Sequence, residues 1–306
     1  MKWLLKSAGF RLLSSIPKGE RIYEFIQRYI TRSIIITPER LHGKVAVAFN
    51  YLRWLHANGH SARIIGGTHF DFGAGWYPAL PLTFCAAGVE SQRLLDLSPV
   101  MTSNAIAHSI ELFRSIAPAM AKEAGIDLRR LPAETSARTP VDKQLHALGM
   151  TYHAPYGNLL SSSGGQADFI TSTQVLLHIE APILSECLRA IYHALKPGGL
   201  FLATIHLRPL YGGLDSSPNS LRHLIYSPER WKSFSSKLMH YTRLKAPDYK
   251  QLLLEAGYKL LCFDVTKGSA EDYAALKKLN VHSCFSQYSS DDLAARHLFF
   301  AAQKPE

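Results

Sequence analysis

The sequence predicts an α/β fold in which helices cover both faces of a mostly parallel sheet, with a helical N-terminal extension ahead of it. Three observations carry this. A β-prone run, Thr68–Phe72, passes at once into a glycine turn, Gly73-Ala-Gly75, and then into a helix-like apolar stretch, Ala79–Ala87. A second β-prone run, Ser91–Leu95, ends in Asp96, 23 residues beyond Gly73. Short apolar runs then go on alternating with helical stretches to the C terminus, as strands buried on both faces require.

Composition sets the outer limits. A chain of 306 residues with 47% apolar and 19% charged content offsets its ordering entropy and is not wholesale disordered. Cys85, Cys187, Cys262 and Cys284 are scattered with no CxxC pair, which argues against a disulfide scaffold or a cysteine-based zinc site and fits a reducing, cytoplasmic compartment. No apolar run approaches the ~20 residues of a membrane-spanning helix. The net charge of +10 is uneven: residues 1–63 hold 11 Lys/Arg against 3 Asp/Glu, residues 64–306 hold 23 against 21. The near-neutral body makes nucleic acid an unlikely partner.

Residues 1–63 therefore read as a basic helical extension and 64–306 as the main domain. The first 19 residues lack acid, and Lys6 and Arg11 interrupt the apolar stretch, so a secretory signal is not expected. Docking on the domain and peripheral contact with an anionic membrane surface both suit such a segment. Residues 19–33 and 39–58 space their apolar side chains at helical intervals, the latter through Leu41, Val45, Ala48, Phe49, Leu52 and Leu55. His56 and His60 stand four apart but lack a third ligand nearby, so a surface pair is expected.

The chemistry concentrates after the first strand. Glycines at 73 and 75 let the backbone approach a ligand because no Cβ intervenes. Asp96 stands where nucleotide-binding α/β folds place a carboxylate on ribose hydroxyls. A dinucleotide fingerprint wants a third glycine at 78, and Pro78 there argues against NAD. An acid, Asp71, precedes the first glycine by two residues.

Asp71-Phe-Gly73-Ala-Gly75 resembles motif I of the class I S-adenosylmethionine-dependent methyltransferases, acid-x-G-x-G-x-G, with Tyr77 in place of the last glycine. Other stretches follow in that family's order. Residues 167–179 (ADFITSTQVLLHI) resemble its fourth strand and the segment after it. Residues 195–202 (LKPGGLFL) resemble the turn into strand five, 255–258 (EAGY) the entry to strand six, and 297–305 a closing strand. GAGWYPALP and GMTYHAPYGN look like a bacterial subgroup associated with polysaccharide genes.

The resemblance implies a Rossmann-like, doubly wound, seven-stranded sheet, S-adenosylmethionine as cofactor, and methyl transfer to an oxygen or nitrogen of a small molecule or glycan. It also implies the roles. Asp71 would hold the cofactor's amino group, directly or through water, while Gly73, Ala74 and Gly75 give close backbone approach. Asp96 would accept from the ribose hydroxyls and Leu97 would line the adenine. Where the family often has an acid after strand three, this chain has His153-Ala-Pro-Tyr156, so Tyr156 or backbone groups take that contact. Trp76, Tyr77, Ser172 and Gln174 complete the expected cofactor contacts. His178 and His206 are the candidate catalytic groups, since an imidazole suits removal of a hydroxyl proton.

Two long inserts remain. Residues 98–147 include a helix-like stretch, Thr102–Phe113, and a polar one, Arg129–Lys143; they suit a cap or an interface. Residues 206–246, with Arg222, His223, Tyr226, Trp231, His240, Tyr241 and Arg243, suit a cover over a polar substrate. Nucleobase amino methylation wants an Asp/Asn/Ser-Pro-Pro-aromatic loop where this chain has Thr171-Ser-Thr-Gln174. Arginine methylation wants paired glutamates where only Glu180 stands, and no acidic cluster suggests a metal site. The rival from another class is a non-catalytic module of the same fold that binds a partner or a membrane surface.

Overall fold

The computed structural model describes residues 35–209, 221–236 and 240–306, together with Gly9, Leu12, Ser15 and Ile16. The helix expected over 19–33, and nearly all of the basic segment before it, lie outside the described residues.

The first helix, α1 (Pro38–Ala57), starts where its sequence dictates. The Thr37 side chain accepts from Arg40 N–H at 3.3 Å, Pro38 takes the first turn and Glu39 meets the positive end of the helix dipole. It buries Leu41, Val45, Ala48, Phe49, Leu52 and Leu55, the stripe the spacing predicts, and also Tyr51. The remaining elements are β1 (Thr68–Phe72), α2 (Ala79–Ala87), β2 (Ser91–Leu95), α3 (Ser103–Ala124), α4 (Val141–His146), β3 (Met150–His153), α5 (Leu159–Ser162), β4 (Ala167–Thr173), α6 (Ala181–Ala194), β5 (Leu195–His206), α7 (Pro228–Lys232), α8 (Ala246–Glu255), β6 (Lys259–Thr266), α9 (Ala270–Lys277), α10 (Ser290–Ala294) and β7 (His297–Gln303).

The strands form one seven-stranded sheet in the order β3-β2-β1-β4-β5-β7-β6, the Rossmann-like arrangement expected. β1 is parallel to both neighbours, β2 and β4, and β2 is parallel to β3. β7 runs against β5: Leu207 N–H bonds to Arg296 C=O and Lys304 N–H to Gly199 C=O, both near 3 Å. His56 and His60 behave as a surface pair, the first on Ser61 Oγ and the second stacked on Trp54.

The described chain divides into two compact units. One comprises residues 34–172, 190–202 and 303–306, so α1 shares a unit with β1, β2 and β3. Here α1 packs on α2 and α3. Every residue of α2 is buried, and the helix stops at Gly88, whose φ of 108° is left-handed. Its terminal carbonyls are capped from the 98–147 insert: Arg130 donates to Cys85 O and Val89 O at 3.1 Å, and Arg129 N–H to Ala86 O at 2.8 Å. α3 runs eleven residues past Phe113, the end its sequence suggests. The stripe Ile106, Ile110 and Phe113 continues through the buried Ala117 and Ala121, residues too small to signal a face, and Pro118 lies within the helix. Lys196-Pro-Gly-Gly199 forms the opening residues of β5 rather than a turn before it, and α6 already ends at Ala194.

The second unit comprises, within the described residues, 173–189 and 203–302. Its core gathers Leu221, Leu224, Leu276, Phe285 and Leu293. Asp272 sits between Arg208 (2.8 Å) and Arg296 (2.7 Å), whose donors hold its carboxyl well below the usual range. Lys245 is fully buried with Nζ 3.0 Å from His223 Nε2; burial pulls the ammonium down to about 7. Several residues of the expected substrate cover also pack within this unit. Trp231 donates to Tyr241 O at 2.8 Å, both rings are buried, and the Arg243 guanidinium lies over Trp231 and Phe285. All four cysteines are free. Among the described residues no helix is long and apolar enough to cross a membrane, and no cluster of three metal-ligating side chains occurs.

The Arg130 cap yields a prediction. Arg130→Ala strips Val89 O of its guanidinium donor, leaves Cys85 O with Gly88 N–H alone, and should cost about 1–3 kcal/mol. Urea unfolding measures it; a change under about 0.5 kcal/mol, the usual range for surface substitutions, would show the cap to be idle.

Candidate functional site

Strand order reverses between β1 and β4, and in sheets of this kind ligands settle outside the carboxyl ends of the strands at such a reversal. The register puts Asp71 opposite Thr171 there, with Phe72 opposite Leu95 and Leu95 opposite His153. The glycine turn leaves β1 at this edge. Gly73 (φ 88°) and Gly75 (φ 71°) adopt left-handed backbone that a side chain would strain. Gly73 N–H and Ala74 N–H both bond to Leu95 O, at 2.9 and 3.0 Å, so the end of β2 pins the turn.

Asp96 follows β2 and holds the same turn from its side. Its Oδ2 accepts from Gly75 N–H at 2.8 Å, and its Oδ1 from Leu97 N–H at 2.7 Å and Ser98 N–H at 3.3 Å. A carboxylate offers about four acceptor positions, so three protein donors leave room for roughly one more. Leu97 is 73% exposed, an apolar side chain open to a ligand. Tyr156 N–H bonds to Asp96 O at 3.0 Å, and its ring meets Phe72 edge-on at 5.7 Å. Ala74 and Tyr77 are buried, Trp76 half-buried.

Beneath the turn runs a buried chain that the sequence did not reveal. Asp71, 4% exposed, receives Thr171 Oγ1 at 2.9 Å. Thr171 Oγ1 lies 2.8 Å from His69 Nε2, and His69 Nδ1 lies 2.9 Å from Gln92 Oε1. Gln92 Nε2 donates to Pro81 O at 2.9 Å, which fixes its amide. His69 is stacked on Phe169 and tilted against Phe84; burial drops its imidazole to about 3, so it stays neutral. Gln92 Oε1 requires the proton on Nδ1, which leaves Nε2 a lone pair facing Thr171. The single hydroxyl proton of Thr171 then serves either His69 or Asp71. The chain is fully satisfied when Asp71 carries a proton of its own and donates it to Thr171. Burial likewise raises the Asp71 carboxyl to about 6, while the Thr171 bond and the Lys44 charge pull it the other way.

Lys44, on α1, is a second site residue missed from the sequence. Its Nζ lies 4.3 Å from the centre of the Tyr77 ring, and it is the nearest atom, at 3.9 Å, to where a Cβ on Gly75 would stand. Burial lowers the ammonium, and Asp71 and Asp96 hold it up. The signal was present: Leu41, Lys44, Ala48, Tyr51 and Leu55 recur at helical spacing, and Lys44 is the one charge on that stripe.

Ser172, at the end of β4, is fully buried, and its Oγ has no hydrogen-bond partner among the described residues. The other expected residues belong to the second unit. Gln174 (φ 59°) bonds through its N–H to Thr204 O and through Oε1 to His206 N–H, at 2.9 and 2.7 Å, so its side chain holds the end of β5. His178 donates Nδ1–H to His240 O at 2.8 Å, which leaves Nε2 with its lone pair; its ring tilts against Tyr241, and burial depresses its pKa. His206 packs against His297 at 4.3 Å between centroids, and burial together with that second ring brings it down to about 4. Within this unit a cavity of about 280 Å³ is lined by Glu180, Trp231, Ser235, His240 and Thr242, among others.

The sequence model of the family described as "Methyltransferase domain" matches residues 84–262. No curated protein matches the chain. Among solved structures, an S-adenosylmethionine-dependent methyltransferase from Mesorhizobium loti is 16% identical, with 79% of this chain and 92% of that one covered and a TM-score of 0.40. A SAM-dependent methyltransferase from Methanosarcina mazei is 15% identical, with coverages of 78% and 92% and a TM-score of 0.41.

The buried chain predicts how stability depends on pH. A carboxyl raised in the folded state stabilises the fold below its unfolded pKa, about 4, and that contribution is lost as pH rises through about 6. An amide at 71 mimics the proton-bearing acid. Asp71→Asn should therefore stabilise the protein, by up to about 3 kcal/mol, and by more at pH 7.5 than at pH 5. Equal stability of the two proteins at both pH values by urea unfolding would refute the account.

Proposed function

The chain belongs to the methyltransferase-domain family, and from that premise we propose that it moves the methyl group of S-adenosylmethionine onto an oxygen or nitrogen of a small polar molecule or glycan. The observation that carries the reading is the turn at the β1/β4 reversal, free of Cβ at Gly73 and Gly75, with Asp71 below it and Asp96 beside it. These residues suit the cofactor. The turn admits close backbone approach, Asp96 keeps acceptor capacity for a ribose hydroxyl, and the unpartnered Ser172 Oγ adds a polar atom at the neighbouring strand end.

The cofactor supplies a methyl carbon already activated by its sulfonium, so the chain's work is chiefly to bind and orient. Asp71 receives the amino group; Gly73, Ala74 and Gly75 take the amino-acid end against their backbone; Leu97, Tyr156 and Trp76 flank the nucleoside. His178 removes the acceptor's proton through Nε2, because the His240 carbonyl keeps the ring's other nitrogen protonated. His206, neutral and fixed by Gln174, orients rather than titrates. For the acceptor, the 280 Å³ cavity offers an aromatic wall with hydroxyl, imidazole and carboxylate groups, a lining suited to a polyol or sugar. The near-neutral charge of residues 64–306 supports a small acceptor over a nucleic acid.

Two outcomes are expected. Asp96→Ala should weaken S-adenosylhomocysteine binding at least roughly tenfold, about 1.4 kcal/mol, by calorimetry; unchanged affinity would remove Asp96 from the site. In turnover assays over a panel of hydroxyl and amine acceptors, His178→Gln should lower kcat by about 10²–10⁴ with cofactor affinity kept. The wild-type rate should climb to a plateau with a midpoint below 6.5, since burial depresses the imidazole. A kcat for His178→Gln within threefold of wild type would exclude the base role.

A further inference from the structure

Lys44 is the group the cofactor reading leaves unused. The α1 stripe that carries it is otherwise made of buried apolar or aromatic residues, and an ammonium among them needs an acceptor to offset its lost hydration. The protein does not supply one. Among the described residues no oxygen lies within ion-pair or hydrogen-bond distance of Nζ; its neighbour is the π face of Tyr77. The two acids that sense its charge are engaged elsewhere. Asp96 is turned onto three backbone N–H groups, and Asp71 onto Thr171. Among the described residues, chain neighbours apart, Lys44 Nζ is the one atom within 4 Å of a Cβ built on Gly75, so the space above the turn is open.

We propose that Lys44 binds the carboxylate of the cofactor's amino-acid end, so that Lys44 and Asp71 together form a receptor for an α-amino-acid zwitterion across the glycine turn. The proposal rests on the cofactor reading above and assigns its anionic end. An ammonium and a carboxyl, each lacking a salt partner and set beside a turn without side chains, complement a ligand that carries the opposite pair. Nζ has three donors to offer, and a carboxylate would replace a weak ring contact with charge-assisted hydrogen bonds. Lys44 is thus a positioning residue: it fixes where the methionine chain begins and hence where the methyl carbon points. The same ammonium would serve a carboxylate or phosphate on the acceptor, and the experiment separates the two sources.

The test is calorimetry with S-adenosylhomocysteine and its decarboxylated counterpart, S-adenosyl-3-thiopropylamine, on wild type, Lys44→Gln and Lys44→Arg, with melting temperatures as a check on folding. Lys44→Gln should weaken S-adenosylhomocysteine at least tenfold and leave the decarboxylated ligand within twofold, and Lys44→Arg should recover part of the loss. Should Lys44→Gln not fold, Lys44→Met, which keeps the apolar stem beside Tyr77, takes its place with the same expected and overturning outcomes. Unchanged S-adenosylhomocysteine affinity in Lys44→Gln overturns the proposal. So does equal weakening of both ligands, the mark of a structural role. An unchanged cofactor affinity with a raised KM for an anionic acceptor overturns it in favour of the acceptor. Wild type that binds neither ligand overturns the cofactor reading itself, and Lys44's role with it.

Discussion

The hydroxyl of Thr171 has one proton to give, and two buried neighbours compete for it. His69 Nε2 and Asp71 Oδ1 both lie within 3 Å of that oxygen, the first residue fully buried and the second nearly so. This constraint ties the first strand to the fourth at the point where the sheet changes direction. It also sets the state of the acid under the glycine turn. Thr171 on β4 and Gln92 on β2 reach His69 from strands on either side of β1, so the chain of hydrogen bonds crosses three strands and holds their register. Burial raises the Asp71 carboxyl to about 6 while the Thr171 hydroxyl and the Lys44 ammonium pull it back, so its charge is sensitive to what stands beside it. That behaviour suits a site meant to receive an ammonium group rather than to display a permanent charge.

The same economy governs the histidines. His69 and His206 are forced neutral by burial, the first as a relay of hydrogen bonds and the second as a ring packed on His297. His178 differs because a carbonyl fixes its tautomer. Methyl transfer from a sulfonium asks for geometry more than for acid–base power. The turn at the β1/β4 reversal, pinned by backbone hydrogen bonds to Leu95 O, is built for position.

The sheet was legible in the sequence because its strands are short apolar runs with punctuation at both ends. Thr68–Phe72, Ser91–Leu95 and the helix Ala79–Ala87 match their predicted bounds residue for residue. The end of α3 was not, since alanines at 117 and 121 bury as well as leucine yet leave a faint stripe. The glycine turn and Asp96 were readable because close approach demands glycine and a carboxylate at a fixed distance along the chain. Lys44 and His69 were not, for opposite reasons. Lys44 left a faint signal, one charge on a stripe whose apolar members at 41, 48 and 55 make α1 look like an ordinary packing helix. His69 sits in a strand, and its partners Gln92 and Thr171 are 23 and 102 residues away, a link only the fold can make. The aromatic residues at 231 and 241 are ambiguous in sequence for a further reason: both are largely buried and both line a cavity, so one composition serves packing and a concave wall alike.

Arg129 and Arg130 give the 98–147 insert a standing that its length alone would not. They close the end of α2, the helix that emerges directly from the glycine turn and is buried along its whole length. A loop that merely decorates a fold can be shortened or exchanged between relatives. Trimming this one past residue 130 removes the donors to Ala86 O and Val89 O and one of the two to Cys85 O. Helix and insert are therefore coupled, and a chimera that kept one and replaced the other would have to supply these donors again.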